Sequence, residues 1–303
     1  MTFSQEIKNE ICNAKLSCKS CQRAMIYGML MCCRGIKEDS ITLNIENKGV
    51  VDFFTASLID LTGTIVTVKS PNIRNRTKRP LYTISIDDKN DVDKIISYFF
   101  NSIEYKHTIN ETYIEKTCCK IAFLRGVYLI CGTMINPQNE YHFEFSLSSE
   151  RICNQILEIL TSIGIEFKKT FRNKNFVLYI KESNQIEDML TYLGAMKSSI
   201  NLMNLKIEKE LRNQVNRVTN CETANIGKTV NASMGQIEKI TMIKETIGFD
   251  ALPIQLQDIA IMRLMNPEAS LRELCLLSGN TISRSGLNHR LKKIIEIADN
   301  LED

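Results

Sequence analysis

Two apolar stretches of equal length stand out in this chain: Cys21-Gln-Arg-Ala-Met-Ile-Tyr-Gly-Met-Leu-Met-Cys-Cys33 and Cys119-Lys-Ile-Ala-Phe-Leu-Arg-Gly-Val-Tyr-Leu-Ile-Cys131. Four residue identities recur at a constant offset of 98 positions: Cys21 with Cys119, Ala24 with Ala122, Gly28 with Gly126, and Cys33 with Cys131. A fixed offset between matching segments indicates an internal duplication. Glycine costs about 1 kcal/mol inside a helix, so its presence in both copies predicts two helices that pack closely against each other.

The same order of elements is predicted after each stretch. In the first copy the pattern indicates a strand at Ser40–Ile45, a helix at Val51–Leu61, strands at Thr64–Val68 and Leu81–Ile86, and a helix at Asp91–Phe100. In the second copy it indicates a strand at Tyr141–Leu147, a helix at Ser149–Ile163, strands at Ile165–Phe171 and Phe176–Ile180, and a helix at Asn184–Leu193. We therefore predict an α+β domain of two α-β-α-β-β-α halves, related by a pseudo-twofold axis. Chance similarity between two apolar helices is the alternative.

The segment Phe123–Gly132 resembles the LAGLIDADG helix of homing endonucleases. In those enzymes two such helices pack at the domain centre, and each places one carboxylate beside divalent metal ions. The resemblance puts Cys131 at the acid position of the second copy, and Cys33 or Arg34 at that of the first. A thiol or a guanidinium does not replace the oxygen ligand that Mg²⁺ requires. We therefore predict no catalytic residues and no enzymatic activity.

An active metal-dependent endonuclease remains the less favoured alternative. It would need substitute carboxylates, for which Glu38, Asp39 and Asp60 are conceivable, although their spacing does not bring them together.

Two basic segments occupy equivalent places between the last two strands of each half. Residues 69–79 carry five cations and no acid, and residues 168–174 carry four cations and no acid. Two basic hairpins at matching positions are suited to grip a phosphate backbone from both sides. The possible secondary DNA contacts are Arg74, Arg76, Lys78, Arg79, Lys168, Lys169, Arg172 and Lys174. Solvated loop tips are an equally favoured interpretation, because lysine and arginine are common there.

The strand pattern stops after residue 193, and helices are predicted from Ile200 to Thr241. The segment 211–226 is rich in Asn, Thr and Arg and has too few apolar residues for a core helix. A solvated connector is the favoured interpretation, and a polar face that offers Asn216 and Arg217 to DNA is the alternative. We predict two repeats at 1–104 and 105–193, a helical linker at 194–250 and a separate domain at 251–303.

The last fifty residues contain a helix-turn-helix pattern. A short helix is predicted at Leu256–Met265, before Pro267. Ser270-Leu-Arg-Glu273 forms a capping box for a second helix at Leu271–Leu277, which ends at a Ser-Gly-Asn turn. A third helix begins near Thr281 or Ser283 and continues to about Asn300. Its apolar residues recur at intervals of four, three and four and predict one buried stripe: Leu287, Leu291, Ile294 and Ala298.

The third helix carries four fixed positive charges and no acid between residues 283 and 293. In a helix-turn-helix the second helix of the motif lies in the major groove and flanking cations meet phosphates. Arg284 and Asn288 lie one turn apart and suit guanine and adenine, respectively. The predicted DNA-binding residues are Ser270, Arg272, Ser283, Arg284, Ser285, Asn288, His289, Arg290, Lys292 and Lys293. A protein-interaction module with a solvated basic helix is the alternative.

Composition fits a protein of ordinary globular type. The chain has 303 residues, 44% of them hydrophobic and 24% charged, with a net charge of +3. It has neither an apolar run of the ~18 residues that a membrane helix needs nor a signal-peptide core, so we expect a cytoplasmic, nucleoid-associated protein. Among eleven cysteines, Cys18-x2-Cys21 has zinc-like spacing, but no second such pair follows. We therefore favour packing residues over the alternative of a structural zinc, and we predict no metal, cofactor or small-molecule substrate.

The order of these parts resembles the WhiA family of bacterial DNA-binding regulators. The residues that carry the resemblance are Ala122–Gly126, the Asn-rich 213–225, and Pro267 through Ser270 to Arg290. The first repeat departs from the family pattern, because Cys32 and Cys33 make it more apolar and cysteine-rich. The resemblance implies a non-enzymatic transcription factor linked to sporulation or to cell division and chromosome segregation. Its implied partners are double-stranded DNA and, beyond it, RNA polymerase or another regulator.

Overall fold

A computed structural model describes residues 2–73 and 80–301 of the chain. The predicted contacts Arg74, Arg76, Lys78 and Arg79 therefore lie outside the described residues. The chain divides into two compact units, Met1–Lys209 and Glu210–Asp303. No helix formed by the described residues combines the length and the apolar character that a membrane span needs.

Unit 1 contains two copies of one arrangement of helices and strands. The helix α1 (Phe3–Asn13) comes first in the chain. The first copy then comprises α2 (Lys19–Met31), β1 (Gly35–Ile36), β2 (Ile41–Ile45), α3 (Lys48–Thr62), β3 (Thr67–Ile73), β4 (Pro80–Ile86) and α4 (Lys89–Phe100). The second comprises α5 (Thr117–Cys131), β5 (Gly132–Met134), β6 (Phe143–Leu147), α6 (Glu150–Ser162), β7 (Lys168–Arg172), β8 (Asn175–Ile180) and α7 (Ser183–Leu193). Each copy forms an antiparallel sheet, in the orders β1-β2-β4-β3 and β5-β6-β8-β7. The predicted α+β duplication is confirmed.

Three elements were missed by the sequence analysis. The strands β1 and β5 are only two and three residues long, so they are too short for an alternating pattern. Three residues separate β1 from α2, and β5 follows α5 directly. The helix α1 precedes the first copy and has no counterpart in the predicted order. Each half is therefore α-β-β-α-β-β-α rather than α-β-α-β-β-α.

Alternation in the central strands explains why helices cover one face of each sheet. In β2 the side chains of Ile41, Leu43 and Ile45 are buried, whereas those between them are partly or fully exposed. In β6 the buried side chains are those of three apolar residues, Phe143, Phe145 and Leu147. Because successive side chains point to opposite faces, each sheet presents one apolar face to the helices and keeps one polar face open.

The strands β3 and β7 begin three residues later than predicted. Ile165 and Phe167 continue the apolar pattern and are buried, but they lie in the connection that precedes Lys168. Apolar alternation marks burial, and here burial extends beyond the hydrogen-bonded ladder.

The helices α2 and α5 pack backbone to backbone at the centre of unit 1. A Cβ atom at Gly28 would lie 2.2 Å from the carbonyl oxygen of Phe123. A Cβ atom at Gly126 would lie 1.9 Å from the carbonyl oxygen of Met25. No side chain fits in either place, which explains the glycine in both copies. The predicted close packing of the two repeated helices is confirmed.

A single helix, α8 (Met196–Thr246), follows α7. Glu10 of α1 caps its start: the carboxylate accepts hydrogen bonds from the backbone N–H groups of Lys197 and Ser198, at 2.8 and 3.1 Å. The N-terminal N–H groups of a helix have no partner within the helix, so a carboxylate there satisfies them and favours the helix dipole. The residues from 211 to 228 are helical and exposed.

Unit 2 packs three short helices against the end of α8: α9 (Ile254–Met265), α10 (Leu271–Leu277) and α11 (Arg284–Asp299). Their core side chains are those of Ile240, Ile243, Leu252, Leu256, Ile259, Ala260, Leu274, Cys275, Leu287, Leu291, Ile294 and Ala298. The bounds of α10 are those predicted, and α9 begins two residues earlier than predicted.

Candidate nucleic-acid interface

The start of α10 is fixed by the capping box. The Glu273 backbone N–H donates to the Ser270 hydroxyl at 3.3 Å, and the Ser270 backbone N–H donates to the Glu273 carboxylate at 2.7 Å. These hydrogen bonds lower the pKa of the Glu273 carboxyl. The Ser270 hydroxyl is thus engaged in the helix cap, which gives this predicted DNA-binding residue a local structural role.

A tight turn connects α10 to α11. Gly279 and Asn280 have φ angles of 68° and 59°, in the left-handed region that favours glycine and tolerates asparagine. The Asn280 backbone N–H donates to the carbonyl of Cys275 and closes the end of α10. Ser283 then caps α11, because its hydroxyl accepts the backbone N–H of Gly286 at 3.2 Å. The predicted Ser-Gly-Asn turn is confirmed, and Ser283 is a cap residue.

The helix α11 has one buried side and one exposed side. Its buried residues are the four of the predicted stripe: Leu287, Leu291, Ile294 and Ala298. The exposed predicted site residues are Ser283, Arg284, Ser285, His289, Lys292 and Lys293, and the half-buried ones are Asn288 and Arg290. The cations therefore lie on the side of the helix that unit 2 leaves uncovered.

The spacing of residues along α11 determines which side chains lie furthest from the buried stripe. Ser285, His289 and Lys292 follow a spacing of four and three residues opposite the buried stripe, so they share the centre of the exposed face. Arg284 and Asn288 lie together along one border of that face. This surface of five residues is called the α11 face below. Arg272 on α10 is also exposed.

Arg263 is a structural residue that the sequence analysis missed. Its side chain is 2% exposed, and its Nη1 donates to the Ala269 carbonyl at 2.6 Å and to the Ser233 hydroxyl at 3.2 Å. The Ser233 hydroxyl in turn donates to the carbonyl of Pro267. Burial lowers the pKa of Arg263. The guanidinium thus ties α8 and α9 to the connection that leads into Ser270. No sequence pattern marks an arginine as buried.

The basic hairpin of the second repeat is partly neutralised. Arg172 lies 3.0 Å from the Glu144 carboxylate, which also contacts His142 at 2.8 Å. Lys169 lies 2.8 Å from Glu150. Lys168 is exposed and Lys174 lies at the turn with a φ of 64°. Ion pairing of this kind weakens the hairpin as a phosphate contact, because acids on the same surface repel DNA.

Two predicted linker contacts lie on the exposed part of α8. Asn216 and Arg217 are helical and exposed. Their exposure fits either the connector or the contact interpretation.

A cavity of about 410 Å³ lies at the C-terminal ends of α2 and α5. Its lining includes Cys32, Cys33, Arg34 and Cys131, together with Thr42, Asn44, Ser146, Ser148 and Ser149, and among the described residues it includes no Asp or Glu. A hydrogen bond with Cys131 and burial raise the pKa of Cys32. The conceivable substitute acids are exposed and do not line this cavity: Glu38 and Asp39 lie between β1 and β2, and Asp60 lies on α3.

The structure places two further cysteines beside Cys18 and Cys21. No second Cys-x2-Cys pair follows in the sequence, but Cys118 and Cys119 lie beside the first pair and complete a group of four. Cys118 and Cys119 are neighbours in the sequence and lie about a hundred positions after the first pair. A search for a second Cys-x2-Cys pair therefore does not find them.

The geometry of the two units defines the class of protein: a LAGLIDADG-like duplicated domain followed by a helix-turn-helix domain. A family model described as the WhiA LAGLIDADG-like domain matches residues 120–212. A model described as the WhiA C-terminal HTH domain matches residues 215–298. The chain belongs to the WhiA family.

Relatives match over nearly the whole chain. A probable cell division protein WhiA from Clostridium tetani is 34% identical, covering 99% of this chain and 98% of its own. A protein of the same description from Caldicellulosiruptor saccharolyticus is 36% identical, with coverage of 99% and 96%. Among solved structures, full-length WhiA from Thermatoga maritima matches with a TM-score of 0.61 and 25% identity, over 99% of both chains. The N-terminal LAGLIDADG domain of WhiA matches the fold with a TM-score of 0.51 and 20% identity, covering 64% of this chain and 90% of that one.

Proposed function

We propose that this protein is a non-enzymatic regulator that binds double-stranded DNA by placing α11 in the major groove. The observation that carries the proposal is the division of α11 into an apolar buried stripe and a cationic exposed face. A major groove about 12 Å wide admits one α-helix. The helix-turn-helix domain of the family provides the expected arrangement for such docking.

The charges around α11 favour an approach by its N-terminal half. The acids of α11, Glu296 and Asp299, lie in its last turns, and Asp299 pairs with Lys239 at 2.8 Å. The first turns carry Arg284 without an acid, and the positive end of the helix dipole lies there too. In this proposal Arg284 and Asn288 read base edges, whereas Lys292 and Lys293 meet phosphates.

Salt dependence of DNA affinity tests this proposal without knowledge of the target site. A mixed-sequence duplex is titrated with the full chain by fluorescence anisotropy between about 50 and 200 mM salt. The double variant Arg284→Ala/Lys292→Ala should bind more weakly. The slope of log affinity against log salt should become shallower by about 0.9 for each phosphate that the variant no longer neutralises.

The matched control replaces two exposed lysines of unit 2 by alanine, Lys228 and Lys244, which lie on α8 instead of α11. Its affinity and slope should equal those of the unaltered chain. An equal weakening of the control and of the double variant would show that general charge, and not α11, governs binding. Unchanged affinity and slope in the double variant would overturn the proposal.

The absence of nuclease activity is part of the same proposal. The cavity between the ends of α2 and α5 presents thiols and hydroxyls where the LAGLIDADG resemblance expects carboxylates. Mg²⁺ prefers carboxylate oxygens, so this lining supports a scaffold or second DNA contact rather than a cutting centre. Supercoiled plasmid incubated with the chain and Mg²⁺ should stay supercoiled, and accumulation of nicked or linear product would contradict this part.

The biological setting is also proposed from the family. The relatives are described as probable cell division proteins, which supports a role in division. We extend this to transcription regulation, sporulation, chromosome segregation and nucleoid association. Mapping crosslinked chromosomal sites tests the extension: enrichment at promoters supports regulation, and a uniform distribution contradicts it. Contact with RNA polymerase predicts co-purification that survives nuclease treatment.

A further inference from the structure

Four cysteines meet at the N-terminal ends of the two central helices. Cys18 is the residue before α2 and Cys21 lies in its first turn, while Cys118 and Cys119 lie in the first turn of α5. Their four Sγ atoms all lie within 4.8 Å of one another. Across residues 2–73 and 80–301, no other group of three or more His, Cys, Asp or Glu side chains is gathered this tightly.

The distances match those expected around one metal ion. The Sγ atom of Cys18 lies 3.3 Å from that of Cys21 and 3.9 Å from those of Cys118 and Cys119. Four sulfurs around a tetrahedral Zn²⁺, each bonded at about 2.3 Å, are about 3.8 Å apart. We propose that these four cysteines bind one structural Zn²⁺ that joins the two repeats of unit 1.

Ligand chemistry favours zinc over the other ions that proteins hold. Four thiolates in a tetrahedral arrangement select Zn²⁺ or iron–sulfur clusters, whereas Mg²⁺ and Ca²⁺ require oxygen ligands. An iron–sulfur cluster distributes its cysteines over several irons, so their sulfurs lie further apart than sulfurs that share one ion. The close spacing of Cys18 to its three neighbours therefore favours a single ion.

A disulfide bond explains this group of four cysteines less well than a bound metal ion does. The shortest separation, between Cys18 and Cys21, is 3.3 Å, whereas a disulfide bond is about 2.0 Å long. A bond between those two would also leave Cys118 and Cys119 without a role. All four are free thiols in the structure.

The packing of α2 against α5 explains why the four Sγ atoms lie close together. The parallel packing of α2 and α5 is fixed at the middle by Gly28 and Gly126, so their N-terminal ends come together. Helix N-termini favour negative charge, and here two of them point at the same group of thiolates. Four thiolates and one Zn²⁺ carry a net charge of −2, and Arg125 lines the adjoining cavity of about 210 Å³ with Cys21 and Cys118. The positive charge of Arg125 partly offsets the negative charge of the zinc site.

The position of the site implies a structural role. It lies at the opposite end of the helix pair from Cys33 and Cys131. Along α5, Cys118 and Cys119 precede Cys131 by 13 and 12 residues, a rise of about 18–20 Å. Four protein ligands leave no open coordination position, as in structural zinc sites. Two ligands come from each repeat, so the ion would hold together the halves whose contact forms the core of unit 1.

Metal content and coordination test the proposal directly. The full chain, purified with a thiol reductant and passed over a chelating resin, should retain about one zinc per chain by mass spectrometry. The variant Cys18→Ser/Cys118→Ser removes one ligand from each pair and should retain less than about a tenth of that zinc. The control Cys153→Ser/Cys221→Ser, which removes two thiols elsewhere, should retain all of it. X-ray absorption at the zinc edge of the unaltered chain should show four sulfurs at about 2.3 Å.

The X-ray absorption measurement needs no variant, so a failure of the serine variants to fold leaves the test intact. Zinc absent from the reduced chain even after reconstitution, zinc retained by the double variant, nitrogen or oxygen among the ligands, or bound iron would each overturn the proposal.

Discussion

The helices α5 and α11 both contain a glycine, but they sit in opposite environments. Eight of the 15 residues of α5 are buried, and they surround the helix. Four of the 16 residues of α11 are buried, and they form one stripe. A helix that is apolar all round belongs to a core, whereas a helix with one apolar stripe leaves its other side to solvent or a partner. This difference agrees with the proposal that unit 1 is a scaffold and that unit 2 binds DNA through α11.

The two glycines show the same difference at atomic scale. A Cβ at Gly126 would overlap backbone atoms of α2, which cannot move without separating the helices. A Cβ at Gly286 would lie 3.3 Å from the side chains of Ile282 and Ser283, both close in sequence. The first glycine serves tertiary packing, and the second affects only the local start of its helix.

Gly126→Ala should give the largest change. The added methyl would lie 1.9 Å from the Met25 carbonyl oxygen, so α2 and α5 must separate. We expect the free energy of unfolding of unit 1 to fall by at least about 3 kcal/mol, the upper end of the usual cost of overpacking. Tyrosine fluorescence during urea unfolding reports unit 1, because all nine tyrosines precede residue 193 and the chain has no tryptophan.

Gly227→Ala is the matched control, since Gly227 is also inside a helix but a Cβ there would meet no described atom within 4 Å. Gly227 lies in unit 2, so its replacement should leave the tyrosine-reported unfolding of unit 1 unchanged. Equal stability of the Gly126→Ala variant and the unaltered chain would contradict the backbone contact between α2 and α5.

The difference between α5 and α11 could largely be predicted from the sequence, because each helix carries a local pattern. The duplication of Gly28 at Gly126 predicted the close contact, and the spacing of Leu287, Leu291, Ile294 and Ala298 predicted the stripe. The Ser270–Glu273 capping box predicted the start of α10. Each pattern lies within a few turns of one element, where spacing determines geometry.

The remaining features depend on contacts between distant residues, which spacing does not show. Arg172 reads as a free cation in sequence, but the antiparallel pairing of β7, β8 and β6 brings it to Glu144. Cys18 meets Cys118 only because two parallel helices begin at the same level. Charge runs and cysteine spacing therefore indicate candidates, and the tertiary fold determines their partners.

Arg263→Met tests the support beneath the α11 face and should have an intermediate effect. The substitution keeps much of the side-chain volume but removes the donor to the Ala269 carbonyl and the Ser233 hydroxyl. We expect the free energy of unfolding of unit 2 to fall by about 1–3 kcal/mol, because these buried acceptors become unsatisfied. Hydrogen exchange of the full chain should show faster exchange in α9 and α10.

Arg272→Met is the control for Arg263→Met. Arg272 is exposed on α10, so its replacement should change stability by no more than about 0.5 kcal/mol. Stability of the Arg263→Met variant equal to or above that of the unaltered chain would mean that burying the cation costs more than its hydrogen bonds return.

Gly286→Ala should give the smallest change and sharpens the contrast with Gly126. Alanine favours the helix by up to about 1 kcal/mol, and the tight approach to Ile282 and the capping hydroxyl of Ser283 opposes this gain. We expect stability within about 0.5 kcal/mol of the unaltered chain, measured by hydrogen exchange in α11. DNA affinity should also be unchanged, because the added methyl points toward these two neighbours rather than the α11 face. Weaker DNA binding at unchanged stability would instead show that DNA approaches the backbone at Gly286, and would add Gly286 to the α11 face.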